Sequence, residues 1–311
     1  RRSKPIWFTE IGCPAVTFGA NQPNVFSARL SSESFLPFFS DGARDDFMQR
    51  QYLRAWHEWI EDNGGAIVDR NNVQVWCWDA RPWPEFPQLT GKWVDGVDWR
   101  LGHWLNGRAG AAPLAEIARG RIARHGLTAS DLDLSRAWGQ ADGYAIPGPT
   151  SWRDVVQPFE VALAAALVEE GGRVVVESRA APIRGPALTE DDLAETGAPS
   201  PWALTRSALE DAPQAALLRF RDGLADYDPA LAQAAIGAGR ERGVAEAETP
   251  LVLDNDRGLQ AAERMLREAG AGREALSASL PRSRRDIRPG MVLPITLAGL
   301  DRLFLVERVT D

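Results

Sequence analysis

Two apolar runs in the first part of the chain each lead to an acidic residue. Residues 5–10 predict a buried strand that ends at Glu10, and residues 73–78 predict a second strand that is followed by Asp79. A long loop follows each run. Because the carboxyl ends of neighbouring parallel strands meet at one edge of a sheet, we expect both carboxylates on that edge.

Helical spacing of apolar residues separates and follows these strands. One helix is predicted from about residue 43 to 62, with Asp41 as its N-cap and the sequence 63–65 as its end. A second is predicted over 111–125 and ends at Gly126. The order strand, loop, helix therefore occurs twice, as in a (β/α)8 barrel, but a whole barrel needs about 250 residues. We predict the C-terminal quarter of a TIM-like barrel, completed by polypeptide upstream of Arg1.

The remainder of the chain has shorter elements and is rich in Ala, Val and Leu. A helix is predicted over 152–168 and another over 257–269. Strands are predicted at 173–178, 215–221, 249–253, 273–280, 291–297 and 302–309. The fold class is thus a multidomain α/β plus α+β chain, with a barrel domain at 1–125 and a strand-rich α+β region at 126–311.

Composition narrows the possible functions. The 311 residues are 44% hydrophobic and 25% charged, with a net charge of -8, which disfavours a surface that wraps nucleic acid. No run approaches the length of a membrane span. The three histidines have no second ligand at metal spacing, so we expect neither a metal nor a cofactor. A group of arginines favours a solvated hairpin over a phosphate site: Arg282, Arg284, Arg285 and Arg288.

Glu10 is the strongest candidate for chemistry. A carboxylate at the end of a barrel strand, with aromatic neighbours, is the way retaining glycosidases place a nucleophile. The reaction needs a second carboxyl, for which Asp79, Asp69 and Glu85 are the local options. Asp79 is the preferred one, because it ends the neighbouring strand.

Tryptophans close to these carboxylates suggest carbohydrate binding. Trp76 and Trp78 flank the end of the second strand, where an indole can stack on a sugar, and Trp104 lies in a later Trp/Arg/His loop. Loops of this composition also anchor protein interfaces, and we favour an interface for this loop over a polysaccharide groove. In the alternative interpretation, Glu10 makes a salt bridge to Arg81 and the tryptophans fill the core.

Several long strings in the first part are distinctive: KPIWFTEIGCPAV, GANQPNVF with SSES after it, VWCWDARPWPEFP and DWRLGHWLNGR. Together they resemble the glycoside-hydrolase-like TIM-barrel domain of gene transfer agents, which are phage-like particles that carry bacterial genomic DNA. In that family the domain belongs to a large tail-tip protein, the megatron. The resemblance covers residues 1 to about 125 and places Glu10 at the nucleophile position of strand seven, whereas the acid/base carboxylate comes from strand four, which is not in this sequence.

The second part contains LDLSRAWGQADGYAIPGPTSWRDVVQPF, RVVVESR, LLRFRDGLADYDPA and PGMVLPITLAGLDRLFLVERV. These strings are similar in layout to the phage-tail baseplate hub domain that follows the barrel in the same proteins. The resemblance implies a homotrimeric hub at the tail tip of an extracellular particle made in the bacterial cytoplasm. It also implies contacts with distal tail and tail-tube proteins, and DNA that passes without sequence-specific binding.

Three functional hypotheses follow. The first is a structural hub component of the tail tip that helps to attach to and penetrate the host envelope and to deliver DNA. The second is a glycoside hydrolase that acts on peptidoglycan or a surface polysaccharide through Glu10. The third is a barrel that binds an envelope glycan without hydrolysing it.

Overall fold

The chain divides into two compact units, Arg1–Ala112 and Pro113–Asp311. A computed structural model describes residues 4–28, 30–65, 67–82, 84–103, 105, 111–146, 148–195, 197, 200–225, 227–237 and 243–310. Helices and strands are mixed, and the second unit is rich in strands, which confirms the predicted fold class in its coarse form. The quarter barrel and the domain limits of 1–125 and 126–311 stay predictions.

The first unit is built on a pair of parallel strands. Its elements are β1 Phe8–Ile11, α1 Asp46–Asn63, β2 Val73–Val75, the short α2 Glu85–Gln88 and a 3-10 helix at Val94–Leu101. Phe8 lies opposite Val73, and Ile11 lies opposite Val75. The helix α1 packs on one face of this pair through Ile60 and its neighbours, so that face is the local core.

The start of α1 differs from the predicted one. Asp45 is the N-cap, since its carboxylate accepts a hydrogen bond of 2.8 Å from the backbone N–H of Met48. The predicted cap, Asp41, is wrong. Its carboxylate instead accepts hydrogen bonds from the Thr17 hydroxyl at 2.6 Å and the Ala43 N–H at 2.9 Å, which hold the preceding loop.

The second unit contains most of the regular structure. In chain order its elements, beginning with a short strand at the division between the units, are β3 Ala112–Pro113, α3 Leu114–Ile122, β4 Leu132–Arg136, β5 Gln140–Ala141, β6 Gly143–Tyr144, α4 Trp152–Leu163, β7 Ala165–Glu170, β8 Arg173–Ser178, β9 Trp202–Arg206, β10 Ala215–Asp222, β11 Pro229–Ala235, β12 Val244–Leu253, α5 Asn255–Ala271, β13 Glu274–Ala278, β14 Val292–Leu297 and β15 Leu300–Leu305.

A four-stranded sheet covered by α5 forms the main core. The strand order is β11-β10-β12-β6, with β10 and β12 parallel and the other pairs antiparallel. Along β10 the buried side chains of Ala216, Leu218 and Phe220 alternate with the exposed Arg219 and Arg221. This period of two directs one face of the sheet to α4 and α5 and leaves the other face to solvent.

The predicted helix over 152–168 is too long. The helix α4 ends at Leu163, Ala164 takes a left-handed conformation, and β7 follows. Residues of β7 pair antiparallel with β8 from Ala165 opposite Ser178 to Glu170 opposite Arg173. The two turn residues, Gly171 and Gly172, both have positive φ, as a tight hairpin turn requires. Cross-strand pairing therefore overrides the helical pattern of this segment.

Two arginines of the segment 282–288 form ion pairs with carboxylates elsewhere in the second unit. Arg288 contacts the buried Glu177 at 3.3 Å, and Arg136 contacts the same carboxylate at 3.3 Å. Arg284 pairs with Asp192 at 2.7 Å. Two of the four arginines thus have structural carboxylate partners, which favours a packing role for the segment over a phosphate site.

The close contact between α5 and the sheet gives a first prediction. A methyl group on Gly258 would lie 2.6 Å from the ring of Phe220, whereas one on Gly270, in the same helix, would meet nothing within 4 Å. We expect Gly258→Ala to lower the free energy of unfolding by about 1–3 kcal/mol. Gly270→Ala should raise it by about 0.5–1 kcal/mol, because Ala favours the helix. Urea unfolding of both variants checks this, and equal effects would contradict the packing described.

Candidate functional site

The ends of β1 and β2 lie very close together. Beyond the strand pairing, the N–H of Trp76 donates a hydrogen bond of 2.8 Å to the carbonyl of Ile11. Gly12 makes room for this approach, because a Cβ there would lie 2.5 Å from the carbonyl oxygen of Trp76. Glu10 is exposed next to this junction, and it is the penultimate residue of β1, one residue before the strand ends, whereas the sequence predicted it as the last. The structure therefore presents the predicted nucleophile to solvent at the carboxyl end of the strand pair.

Asp79 is held by an arginine that binds two carboxylates. The Arg81 guanidinium contacts Asp79 at 2.5 Å and Asp95 at 2.8 Å, and its carbon atom lies 3.5 Å from the centre of the Phe86 ring. Phe86 itself is buried and packs edge-on against Trp93. This arrangement fixes the loop that follows β2, with Arg81 at its centre.

The surroundings of Asp79 determine the pKa of its carboxyl. Burial raises the pKa of its carboxyl, but hydrogen bonds from the side chain and the backbone of Arg81 outweigh burial and set the pKa below the ordinary value. A general acid needs a raised pKa. As it stands, Asp79 is suited to holding the loop rather than to donating a proton.

The other two local carboxylates lie at the starts of short helices. Asp69 accepts a hydrogen bond of 2.8 Å from the N–H of Asn71 at the start of a short 3-10 helix, and Glu85 is the first residue of α2. Among the described contacts there is no ion pair between Glu10 and Arg81, which differs from the salt bridge considered as an alternative.

Two of the predicted sugar-binding tryptophans are at the surface. The residue Trp76 is 48% exposed and Trp78 is 70% exposed, so neither fills a core in this unit. The third, Trp104, lies outside the described residues. The exposed carboxylate of Glu10, the penultimate residue of β1, and two accessible indoles after β2 thus lie near the ends of adjacent strands.

His103 is a feature of this region that sequence reasoning missed. The residue is 8% exposed, its ring packs edge-on against Phe26 at 4.8 Å, and within the described part of the chain neither ring nitrogen has a hydrogen-bond partner. The carbonyl of His103 accepts a hydrogen bond from the N–H of Cys77 at 3.2 Å, which places it beside the extension of β2. Burial lowers the pKa of the imidazole to about 4. Its signal in the sequence was only an isolated histidine in a Trp-rich loop.

The described part of the chain contains no group of three or more His, Cys, Asp or Glu side chains that could hold a metal ion. Burial raises the pKa of Cys13 to about 12, so this thiol stays protonated near neutral pH. No helix among the described residues is long and apolar enough to cross a membrane.

Comparison with protein families gives two matches in chain order. Residues 1–87 match the GTA TIM-barrel-like domain, where GTA stands for gene transfer agent, and residues 151–309 match the putative phage tail protein family. The second match spans just over half of the chain. The chain therefore belongs to the putative phage tail protein family. Among curated proteins no sequence matches it.

Several solved structures are similar to this chain. A chain in the virion of a native gene transfer agent particle is 25% identical, with a TM-score of 0.62, over 70% of this chain. The present chain spans about half of that virion chain, 49%. The MuSo2 prophage 43 kDa tail protein of Shewanella oneidensis is 13% identical, with a TM-score of 0.40, over 63% of this chain and 57% of its own. A tail protein of Neisseria meningitidis MC58 is 14% identical, with a TM-score of 0.39, over 66% of each chain. The last two likenesses carry no functional argument.

The buried His103 gives a second prediction. Its pKa is about 4 in the folded state and about 6.5 when unfolded, so the unfolded state binds the proton more readily. Above pH 6.5 the imidazole is neutral in both states, so its ionisation does not lower the free energy of unfolding. As the pH falls towards 4, protonation of the unfolded state lowers the free energy of unfolding by up to about 3 kcal/mol. We expect His103→Phe, which keeps a ring against Phe26, to remove this part of the acid destabilisation. Chemical unfolding followed by tryptophan fluorescence between pH 4 and 8 checks it; parallel pH profiles for the two proteins would contradict the burial.

Proposed function

We propose that this chain is a structural component of the tail tip of a phage-like gene transfer agent. The observation that carries the proposal is the structural similarity of 70% of this chain to a chain of a gene transfer agent virion. The order of the two family matches, barrel-like domain first and tail protein second, supports the same assignment. The strand-rich second unit is the part that supplies the tail function.

In this proposal the chain forms a baseplate hub as a homotrimer, in contact with distal tail and tail-tube proteins. The hub helps the particle attach to and penetrate the host envelope, and DNA passes it without sequence-specific binding. The net charge of -8 suits such passage, because a chain with excess negative charge has no net attraction for phosphates. The particle is extracellular and is made in the bacterial cytoplasm, and the functional domains are 1–125 and 126–311.

The barrel part of the proposal rests on the exposed face of the first sheet. While α1 covers one face of β1 and β2, Thr9 and Gln74 are exposed on these strands, and Trp7, just before β1, is 62% exposed. Parallel sheets are normally covered on both faces. We infer that further strands complete this sheet, so that residues 1–125 form the last quarter of a TIM-like barrel.

A density map of the purified particle is the direct test of the tail-tip assignment. We expect density for residues 113–311 at the end of the tail distant from the head, in three copies around the tail axis. The proposal would be overturned if this density belonged to the head. It would also be overturned if intact particles lacked the chain and the chain were recovered only as a free monomer.

Glycan hydrolysis is a second candidate function for the first unit. Its support is the exposed Glu10 beside β2, with Trp76 and Trp78 accessible after that strand. In this proposal Glu10 is the nucleophile, the tryptophans, including Trp104, stack on the sugar, and Asp79 holds the loop through its bond to Arg81. The acid/base carboxylate comes from a strand outside this sequence, and the substrate is peptidoglycan or a surface polysaccharide.

Substitution of Glu10 in the complete tail protein separates the two functions. We expect Glu10→Gln to abolish glycan hydrolysis in a gel assay with embedded peptidoglycan and to leave particle assembly unchanged. Glu33→Gln, a change at another exposed glutamate, is the matched control and should keep full activity. Full activity of Glu10→Gln would overturn the nucleophile assignment.

Glycan binding without hydrolysis is distinguished by the same set of proteins. If the wild type releases no sugar but binds peptidoglycan, and Trp78→Ala weakens that binding whereas Glu10→Gln does not, the barrel is a binding module. Co-sedimentation with purified peptidoglycan measures this outcome.

A further inference from the structure

The strand β12 has an open edge over half of its length. On one side it pairs with β10, from Val244 opposite Ala215 to Leu253 opposite Asp222. On the other side β6 pairs only with Leu251 and Val252. From 244 to 249, alternate N–H and C=O groups therefore point away from β10, and no strand of the described chain meets them.

The chain itself creates this opening. After β6, the N–H of Ala145 donates a last hydrogen bond of 3.4 Å to the carbonyl of Pro250, and the chain then leaves the sheet and enters α4. The helix α4 packs on the same core as β12, through Val156 and Phe159. The open edge consequently lies beside a helix instead of beside another strand.

A cavity of about 360 Å³ occupies the space between them. Its walls are three residues of α4 and three of β12: Gln157, Pro158, Val161, Glu246, Ala247 and Glu248. Cavities of this size are within the usual range of ligand sites. A strand edge that faces a helix across a groove is a geometry in which an extended peptide can be added to a sheet by main-chain hydrogen bonds.

The charge at this edge selects the occupant. Glu246 and Glu248 are exposed and two residues apart, so they lie on the same face of β12, which is the solvent face that also carries Arg219. Neither is in an ion pair with a described residue. Arg219 lies opposite Glu248 in the β10 ladder but outside ion-pair distance. An added strand with Lys or Arg at alternate positions would place a cation opposite each carboxylate.

We propose that the edge 244–249 of β12 binds an extended, basic segment of another polypeptide as an additional strand, in the groove beside α4. The main chain of the segment supplies the hydrogen bonds, and its alternate basic side chains pair with Glu246 and Glu248. This site is in the tail-protein part of the chain and does not depend on the activity proposed for Glu10.

Binding of synthetic peptides to the full chain tests the proposal. In one peptide lysine alternates with valine, and in the other glutamate alternates with valine. We expect fluorescence anisotropy to show that the lysine peptide binds about tenfold or more tightly than the glutamate peptide. The double substitution Glu246→Lys and Glu248→Lys should reverse this order. The double substitution Glu169→Lys and Glu210→Lys, which changes net charge equally at exposed residues elsewhere, should keep it.

Hydrogen exchange locates the bound peptide. We expect the lysine peptide to slow amide exchange within 244–249 and to leave the β11 edge, 229–235, unchanged. The proposal would be overturned if the lysine peptide did not bind. It would also be overturned if the control substitutions reversed the preference for the lysine peptide as the substitutions at 246 and 248 do, or if the peptide protected β11 instead of β12.

Discussion

The second unit depends on the close approach of α5 to the inner face of the four-stranded sheet. Gly258 lets the helix lie directly on the Phe220 ring, and buried residues of both elements share one core with α4. Close packing of this kind leaves little room for an added methyl group, so the position of the helix determines the position of the sheet. The edge of β12 stays open in the same arrangement, because the chain leaves the sheet after β6 and continues into α4, which packs on the inner face.

A comparable constraint acts in the first unit at the junction of β1 and β2. The absence of a side chain at Gly12 permits the carbonyl of Trp76 to approach, and the Arg81 guanidinium holds the loop that follows through two carboxylates. These contacts fix the chain that follows each strand, while the side chain of Glu10 remains accessible. The two proposals for glycans, hydrolysis and binding alone, differ in the role given to Glu10.

The sequence predicted some elements well and others poorly, for identifiable reasons. The helix α5, from Asn255 to Ala271, was close to the predicted 257–269, because its apolar residues follow a helical period and Asp254 caps it. The strand β11 was not predicted, since its run of small residues has no strong pattern until it pairs with β10. In the candidate site, the sequence predicted that Glu10, Trp76 and Asp79 lie near the ends of two strands. It did not predict the ion pair between Asp79 and Arg81 or the burial of His103.

By itself, the sequence determined the order of the elements, the placement of a carboxylate after each of two apolar runs, and the resemblance to gene transfer agent and phage-tail proteins. Local periodicity, turn residues and long motifs carry that information along the chain. Only the tertiary structure decided that residues 165–170 form a strand instead of helix, that Asp79 is paired, and that the edge of β12 is open. These features depend on the three-dimensional geometry of strand pairing and side-chain contacts, which no local pattern of residue types specifies.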